Sequence, residues 1–201
     1  MRWFLLVVYL IPIALYAQPA YYETIEKHRQ TYKAEFLESG NSPLRTKEAI
    51  SLIRFFAPDS TYRVVATVQR TQNALPFSMP TYNGQSSEQV AYANLSFRLQ
   101  GKAHTLTIYR SLALANNPRY RDYLFLPFKD GTTGKETYGG GRYLDLRTRD
   151  IQNGQLIIDF NKAYNPYCAY GEGYSCPIPP ATNTLSIAVS AGEKTYVKSH
   201  E

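Results

Sequence analysis

Arg142, Asp159 and Asn161 bring a guanidinium, a carboxylate and an amide into one short part of the chain, and Gly139, Gly140 and Gly141 run directly into the arginine. A carboxylate in such company serves as a general base or as a hydrogen-bond acceptor. The guanidinium and free backbone N–H groups stabilise negative charge. Glycines let a backbone come close to a ligand. Tyr138, Tyr143, Tyr164 and Asn165 lie in the same segment, and tyrosine offers an apolar ring and a hydroxyl together. If residues 142–147 and 155–160 are strands that fold back on each other through Asn153-Gly154, then Leu144 and Leu146 share a core face with Leu156, Ile158 and Phe160. The opposite face then carries Tyr143, Asp145, Ile157, Asp159 and Asn161, and the expectation is a polar mouth rimmed by tyrosines. A structural account of the same residues stands beside it. The glycines suit a bulge or a tight strand entry, Asn161 and Asn165 suit turns, and Asp159 suits an ion pair with Arg142 or Lys162.

Most other chemistries lack their residues. Gly131-Thr132-Thr133-Gly134-Lys135 has two residues between its glycines where a phosphate loop needs four, and Glu136 stands where a magnesium-binding Ser or Thr belongs. His28, His104 and His200 are far apart and there are two cysteines, so no zinc set forms and neither a metal nor a cofactor is expected. No G-x-S-x-G elbow occurs. Cys168 and Cys176 are read as a disulfide, which stabilises a short loop by roughly 2 to 3 kcal/mol in the chain-entropy picture. A catalytic thiolate lacks a nearby histidine, and a metal site lacks further soft ligands.

The elements that must hold these residues follow from periodicity. Residues 1–17 have the form of a secretory signal peptide: Arg2, an apolar run from Trp3 to Leu15 broken by Pro12, and Leu15-Tyr16-Ala17 before Gln18. The run is short of the ~20 apolar residues that span a bilayer, so no transmembrane anchor is expected once the leader is removed. Residues 18–201 then fit one β-rich domain, exported to the periplasm or the extracellular space. Lys and Arg number 22 against 16 acids, a net charge of +6, and they are scattered among acids instead of forming the basic stripe of a nucleic-acid binder.

Tyr22, Ile25, Tyr32 and Phe36 recur at helical spacing, which predicts a helix over 21–38 with this stripe in the core. A second helix is expected from Pro43 or Thr46 to Phe55. From Tyr62 the period changes to two, with Tyr62, Val64, Ala66 and Val68 alternating against polar neighbours, and Ala93, Leu95, Phe97 and Leu99 doing so later. Gln100-Gly101 predicts a hairpin into 104–109. Strands are also expected at 123–128, 142–147, 155–160 and 184–190, with residues 69–89 left as a flap. The fold class is mainly β: an antiparallel β-sandwich or open barrel with two N-terminal α-helices.

The segments Pro127-Phe128-Lys129-Asp130, Gly134 to Leu146, Asp159 to Tyr170, and Cys176-Pro177-Ile178-Pro179-Pro180, together with Arg54 to Asp59, resemble a bacterial and archaeal family known as domain of unknown function 1684. The resemblance runs from about residue 23 to Lys194. It implies a single domain centred on residues 130–180 and carries no activity. The expectation is an exported binding domain for a small polar ligand, a glycan or a peptide end, with Tyr138, Gly139, Gly140, Gly141, Arg142, Tyr143, Asp159, Asn161, Tyr164 and Asn165 as its site. Two alternatives accompany it: a hydrolase with Asp159 as general base and Arg142 stabilising charge, and a structural assembly protein of the cell envelope.

Overall fold

The computed structural model describes residues 14–197, with side chains from residue 20 onward. Residues 1–13 of the expected leader lie outside the described residues, and residues 14–17 begin α1 (Ala14–Glu38). Two short helices follow, α2 (Lys47–Ser51) and α3 (Leu112–Ala115). The strands are β1 (Arg63–Arg70), β2 (Phe77–Pro80), β3 (Ser86–Leu99), β4 (Lys102–Ser111), β5 (Tyr123–Phe128), β6 (Arg142–Arg147) and β7 (Gln155–Asp159). They form one antiparallel sheet in the order β6-β5-β4-β3-β1-β7, with β2 beside β3. The sheet curls into a half-barrel, so the open-barrel expectation holds.

Alternation puts the core on the concave face. Ala66, Leu95, Leu106, Ile108, Leu124, Leu126, Leu144, Leu156 and Ile158 are each at most 3% exposed. Burying each of the Leu and Ile side chains stabilises by roughly 1.5 to 3 kcal/mol. Gln100 (φ 49°) and Gly101 (φ 76°) turn β3 into β4 with Leu99 opposite Lys102, as the two-residue hairpin reading requires. On α1, Ile25 and Phe36 are buried while Tyr22 is 39% exposed, so the expected stripe loses its first member. Thr46 caps α2 by accepting the Ala49 N–H at 3.2 Å, and the helix ends earlier than expected. No helix among the described residues is long and apolar enough to cross a membrane.

Three expectations need correction. Strands β6 and β7 do not pair: β6 lies against β5 and β7 against β1, at opposite ends of the strand order. The Asn153-Gly154 turn does form, with φ of 50° and 73°, but it joins Gln152 to Gln155, and a 3₁₀ turn (Thr148–Asp150) separates it from β6. Residues 184–190 are extended but not a strand. Leu185, Ile187 and Val189 alternate into the core, and their main chain meets Lys129 and Gly131 instead of a sheet edge. The segment left as a flap contains β2 and the start of β3.

A single amide holds β4 and β5 where their ladder fails. Those strands meet at Tyr109 and Phe125, and Pro127 has no N–H to continue. Asn183, fully buried, fills the gap: its Oδ1 accepts the Thr107 N–H at 2.9 Å, and its Nδ2 donates to the carbonyls of Thr107 and Pro127, both at 2.8 Å. Asn183→Ala leaves three main-chain groups unpaired and is expected to cost roughly 3 kcal/mol or more, at about 1 to 3 per unsatisfied buried group. Urea unfolding of the variant measures the loss, and a midpoint equal to wild type contradicts the role assigned to Asn183.

Glu193 ties α1 to the C-terminal segment. Its buried carboxylate accepts from Tyr170 Oη at 2.5 Å, from Tyr32 Oη of α1 at 3.0 Å and from the Asn165 N–H at 2.9 Å. Burial raises its pKa from 4.5 to about 7, against the opposing effect of those hydrogen bonds. Between those values the folded chain keeps a proton that the unfolded chain has released, so stability falls as pH rises through the window and levels off above it. The drop is on the order of 3 kcal/mol. Urea midpoints followed from pH 4.5 to 8 are expected to show it, and Glu193→Gln flattens that part of the profile. An unchanged pH dependence in the variant counts against it.

Candidate binding cleft

Because β6 and β7 end the strand order without pairing, the half-barrel has a gap between them, and α1 runs along the outside of that gap. The result is a cleft of about 1170 Å³. Its floor comes from Leu144, Asp145 and Leu146 on β6 and from Ile157 and Asp159 on β7. His28, Thr31, Tyr32 and Glu35 of α1 form one wall. The segment from Tyr164 to Pro177, held by the Cys168–Cys176 disulfide, forms the other. The gap narrows where Tyr164 makes an antiparallel bridge to Tyr143, their main chains exchanging hydrogen bonds of 2.9 and 3.1 Å.

The cleft has two electrostatic ends. At one, Asp145 Oδ1 accepts from Tyr164 Oη at 2.7 Å and Tyr123 Oη at 2.8 Å, while Oδ2 has no protein donor among the described residues. Solvent reaches Asp145 through the cleft, so its desolvation is partial. That desolvation still raises its pKa, opposed by the two tyrosines and by the charge of Arg147. Glu35 on α1 is raised too, by desolvation first and then by Asp145 and Glu38, with Arg119 opposing. At the other end stand His28, Arg63, Lys162 and Asp159. Burial and then Lys162 lower the pKa of His28, which Asp159 partly offsets. A polar ligand entering here meets Asp145 and Glu35 at one end, a mostly basic group around Asp159 at the other and tyrosine rings between them.

The residues singled out from sequence divide into three groups. Tyr143, Asp159 and Tyr164 line the cleft. Asp159 is bound within the fold: its Oδ1 takes Tyr21 Oη at 3.0 Å, Asn161 N at 3.1 Å and Asn161 Nδ2 at 3.0 Å. Arg142, Asn161 and Asn165 are buried away from the cleft. Arg142 Nη2 pairs with Asp130 Oδ2 at 2.9 Å, with both side chains at most 1% exposed, and the guanidinium also donates to the carbonyls of Val189 and Ala191. Asn161 Oδ1 accepts the Asp59 N–H at 2.9 Å, and Asn165 Nδ2 donates to the Lys194 carbonyl at 2.8 Å.

Tyr138 and the three glycines do not line the cleft. A Cβ on Gly140 would come within 2.2 Å of the Tyr138 ring, and one on Gly141 within 2.7 Å of the Phe128 carbonyl, so close packing explains these two glycines. Here the structural account holds. Asp145, His28, Glu35 and Arg63 line the cleft but are not among the site residues expected from sequence. Asp145 was within reach, since it follows Tyr143 by two positions and so shares its face of β6. His28 and Glu35 lie off the apolar stripe of α1, and that stripe is all the helix's periodicity reports.

Comparison with known proteins yields a structure and a family. The solution NMR structure of the uncharacterised protein from gene locus rrnAC0354 of Haloarcula marismortui is 37% identical, with a TM-score of 0.65, over 86% of this chain and 95% of that one. No curated protein matches. The family model described as "Protein of unknown function (DUF1684)" matches residues 48–194, a span that takes in β1 to β7 and most of the cleft. The chain therefore belongs to the DUF1684 family.

Proposed function

We propose that this protein is an exported binding domain whose tyrosine-lined cleft takes a small polar ligand, a glycan or a peptide end. The observation that carries the reading is Asp145: two tyrosine hydroxyls fix one of its oxygens and leave the other open to a cleft large enough for such a ligand. Tyr164 and Tyr167, both partly exposed, offer rings for stacking beside it. Export is supported by the leader-like start of the chain and by the Cys168–Cys176 disulfide, a bond that persists outside reducing compartments. The hydrolase alternative has less support, because the buried Arg142 pairs with Asp130 and, among the described residues, makes no hydrogen bond or ion pair with Asp159.

A thermal-shift screen of monosaccharides, oligosaccharides, amino acids and short peptides tests the cleft. At least one class is expected to raise Tm, and Asp145→Asn, which retains an oxygen for both tyrosines, is expected to weaken that ligand about tenfold or more, the loss of a charge-assisted contact. No shift with any class, or equal binding by the variant, refutes the reading. For export, N-terminal sequencing of the protein made in a bacterial host is expected to start at Gln18, and an uncleaved cytoplasmic chain contradicts it.

A further inference from the structure

The two strands that flank the cleft each leave main-chain groups unpaired toward it, and strand parity shows which. Tyr143 gives both its N–H and its C=O to Tyr164, so on β6 the odd-numbered residues turn their main chain away from β5. Asp145 is the next of these, and among the described residues nothing bonds its N–H or C=O. On β7, Gln155 exchanges both groups with Gln152, and Gly154 O meets Val68 N on the β1 side. Ile157 therefore turns its main chain away from β1, and it too has no partner among the described residues. Both free positions lie on the floor of the cleft.

The β6 edge is already half occupied. Continuing antiparallel from the Tyr143–Tyr164 bridge, the residue opposite Asp145 would be Lys162, but residues 160–162 form a 3₁₀ turn and leave the edge. Beyond Asp145 the Arg147 N–H is taken by Asp150 Oδ2 at 2.9 Å. One paired position is thus open, with its neighbours closed, which limits an added strand to a few residues.

We propose that the ligand of the cleft is a short extended peptide that pairs with β6 at Asp145 and places a Lys or Arg side chain against Asp145 and Glu35. This rests on the binding reading above and specifies its ligand. The charge follows from pleating: the ligand residue opposite Asp145 points its side chain to the same face as Asp145, where Oδ2 is free and Glu35 faces in from α1. An opposite charge there relieves the mutual repulsion of the two carboxylates. The neighbouring ligand side chains point to the other face, toward Leu144 and Leu146, so the favoured pattern is apolar-basic-apolar. Adding a strand to an exposed edge is a recurring mode of peptide recognition, with main-chain bonds supplying affinity and alternate side chains supplying specificity.

The test uses the full-length protein as isolated and the capped peptide acetyl-Thr-Val-Lys-Val-Thr-amide. Calorimetry is expected to show binding, and amide exchange by NMR to show new protection at the Asp145 N–H. N-methylation of the peptide's Lys nitrogen, which removes its main-chain donor, and replacement of that Lys by Glu are each expected to weaken binding tenfold or more. Asp145→Asn is expected to weaken the Lys peptide and leave the Glu peptide no worse. Equal binding by the N-methylated peptide, or no protection at Asp145, overturns strand pairing. If glycans or amino acids bind the cleft and the peptide does not, this inference falls and the broader reading stands. If nothing binds, both fall.

Discussion

The failure of the sheet to close is the constraint on which the rest of this structure turns. A barrel removes sheet edges by pairing its first and last strands, and here those are β7 and β6, which end the order on opposite sides. Beyond β7 the chain returns to β6 at Tyr164, which bridges Tyr143. Everything near the gap compensates for that opening. Helix α1 runs along it, the 164–177 segment walls it, and Asp150 and Gln152 each take up main-chain groups that closure would have satisfied. The groups left over are at Asp145 and Ile157, so the cleft and the unpaired backbone share one cause.

Polar clamps at the rim do the work that further ladder bonds would have done. Arg142 and Asp130 are buried together, an arrangement whose desolvation cost is offset only when the remaining groups are also bonded. The N–H groups of Thr132 and Val189 donate to Asp130, and Arg142 donates to the carbonyls of Val189, Ala191 and Glu193, with its Nε left unpartnered among the described residues, so the pair fastens β6 to the extended C-terminal segment. Glu193 then fastens that segment to α1 through Tyr32. A chain of ionisable groups thus runs from β6 to the helix over the gap. The position of α1, one wall of the cleft, rests on charge and hydrogen bonding together with the apolar contacts of Phe36 with Tyr167 and Tyr170.

Alternation in the sequence identified faces but not partners, and the difference explains what was legible. Leu144, Leu146, Leu156 and Ile158 were assigned to the core and are there, because a strand's inward residues are the same whichever neighbour it takes. Asn153-Gly154, a sound local turn signal, predicts the pairing of β6 with β7. The turn forms, yet the 3₁₀ segment Thr148–Asp150 before it redirects the chain, since Thr148 N bonds Asp122 O and Asp150 caps back to Arg147. Residues 184–190 show the same limit: their period of two is real, but the hydrogen bonds go to the 129–131 turn and not to a strand. Contacts far apart in sequence leave no local trace. The partners of Arg142 in the 189–193 segment, and those of Asn165 at Glu193 and Lys194, are of that kind.

The candidate site was legible only where residue type and parity both pointed to it. Tyr143 and Tyr164 line the cleft, and Asp159 reaches it by way of β7 instead of a hairpin with β6. Arg142 looked functional because a cation beside an acid and glycines is equally the signature of a site and of a buried clamp. Its partner Asp130 decides between them, and Asp130 was visible in sequence only as part of a turn. Asp145 is the converse case. It looks like one outward residue of an ordinary strand, yet β6 is an edge, so its side chain and its main chain both face open space in the same cleft. A residue on a central strand has its backbone consumed by two neighbours and offers a ligand only its side chain. At an unclosed edge the same residue offers a carboxylate, an N–H and a C=O together, and that combination matches an extended peptide better than it matches a ligand without a backbone of its own.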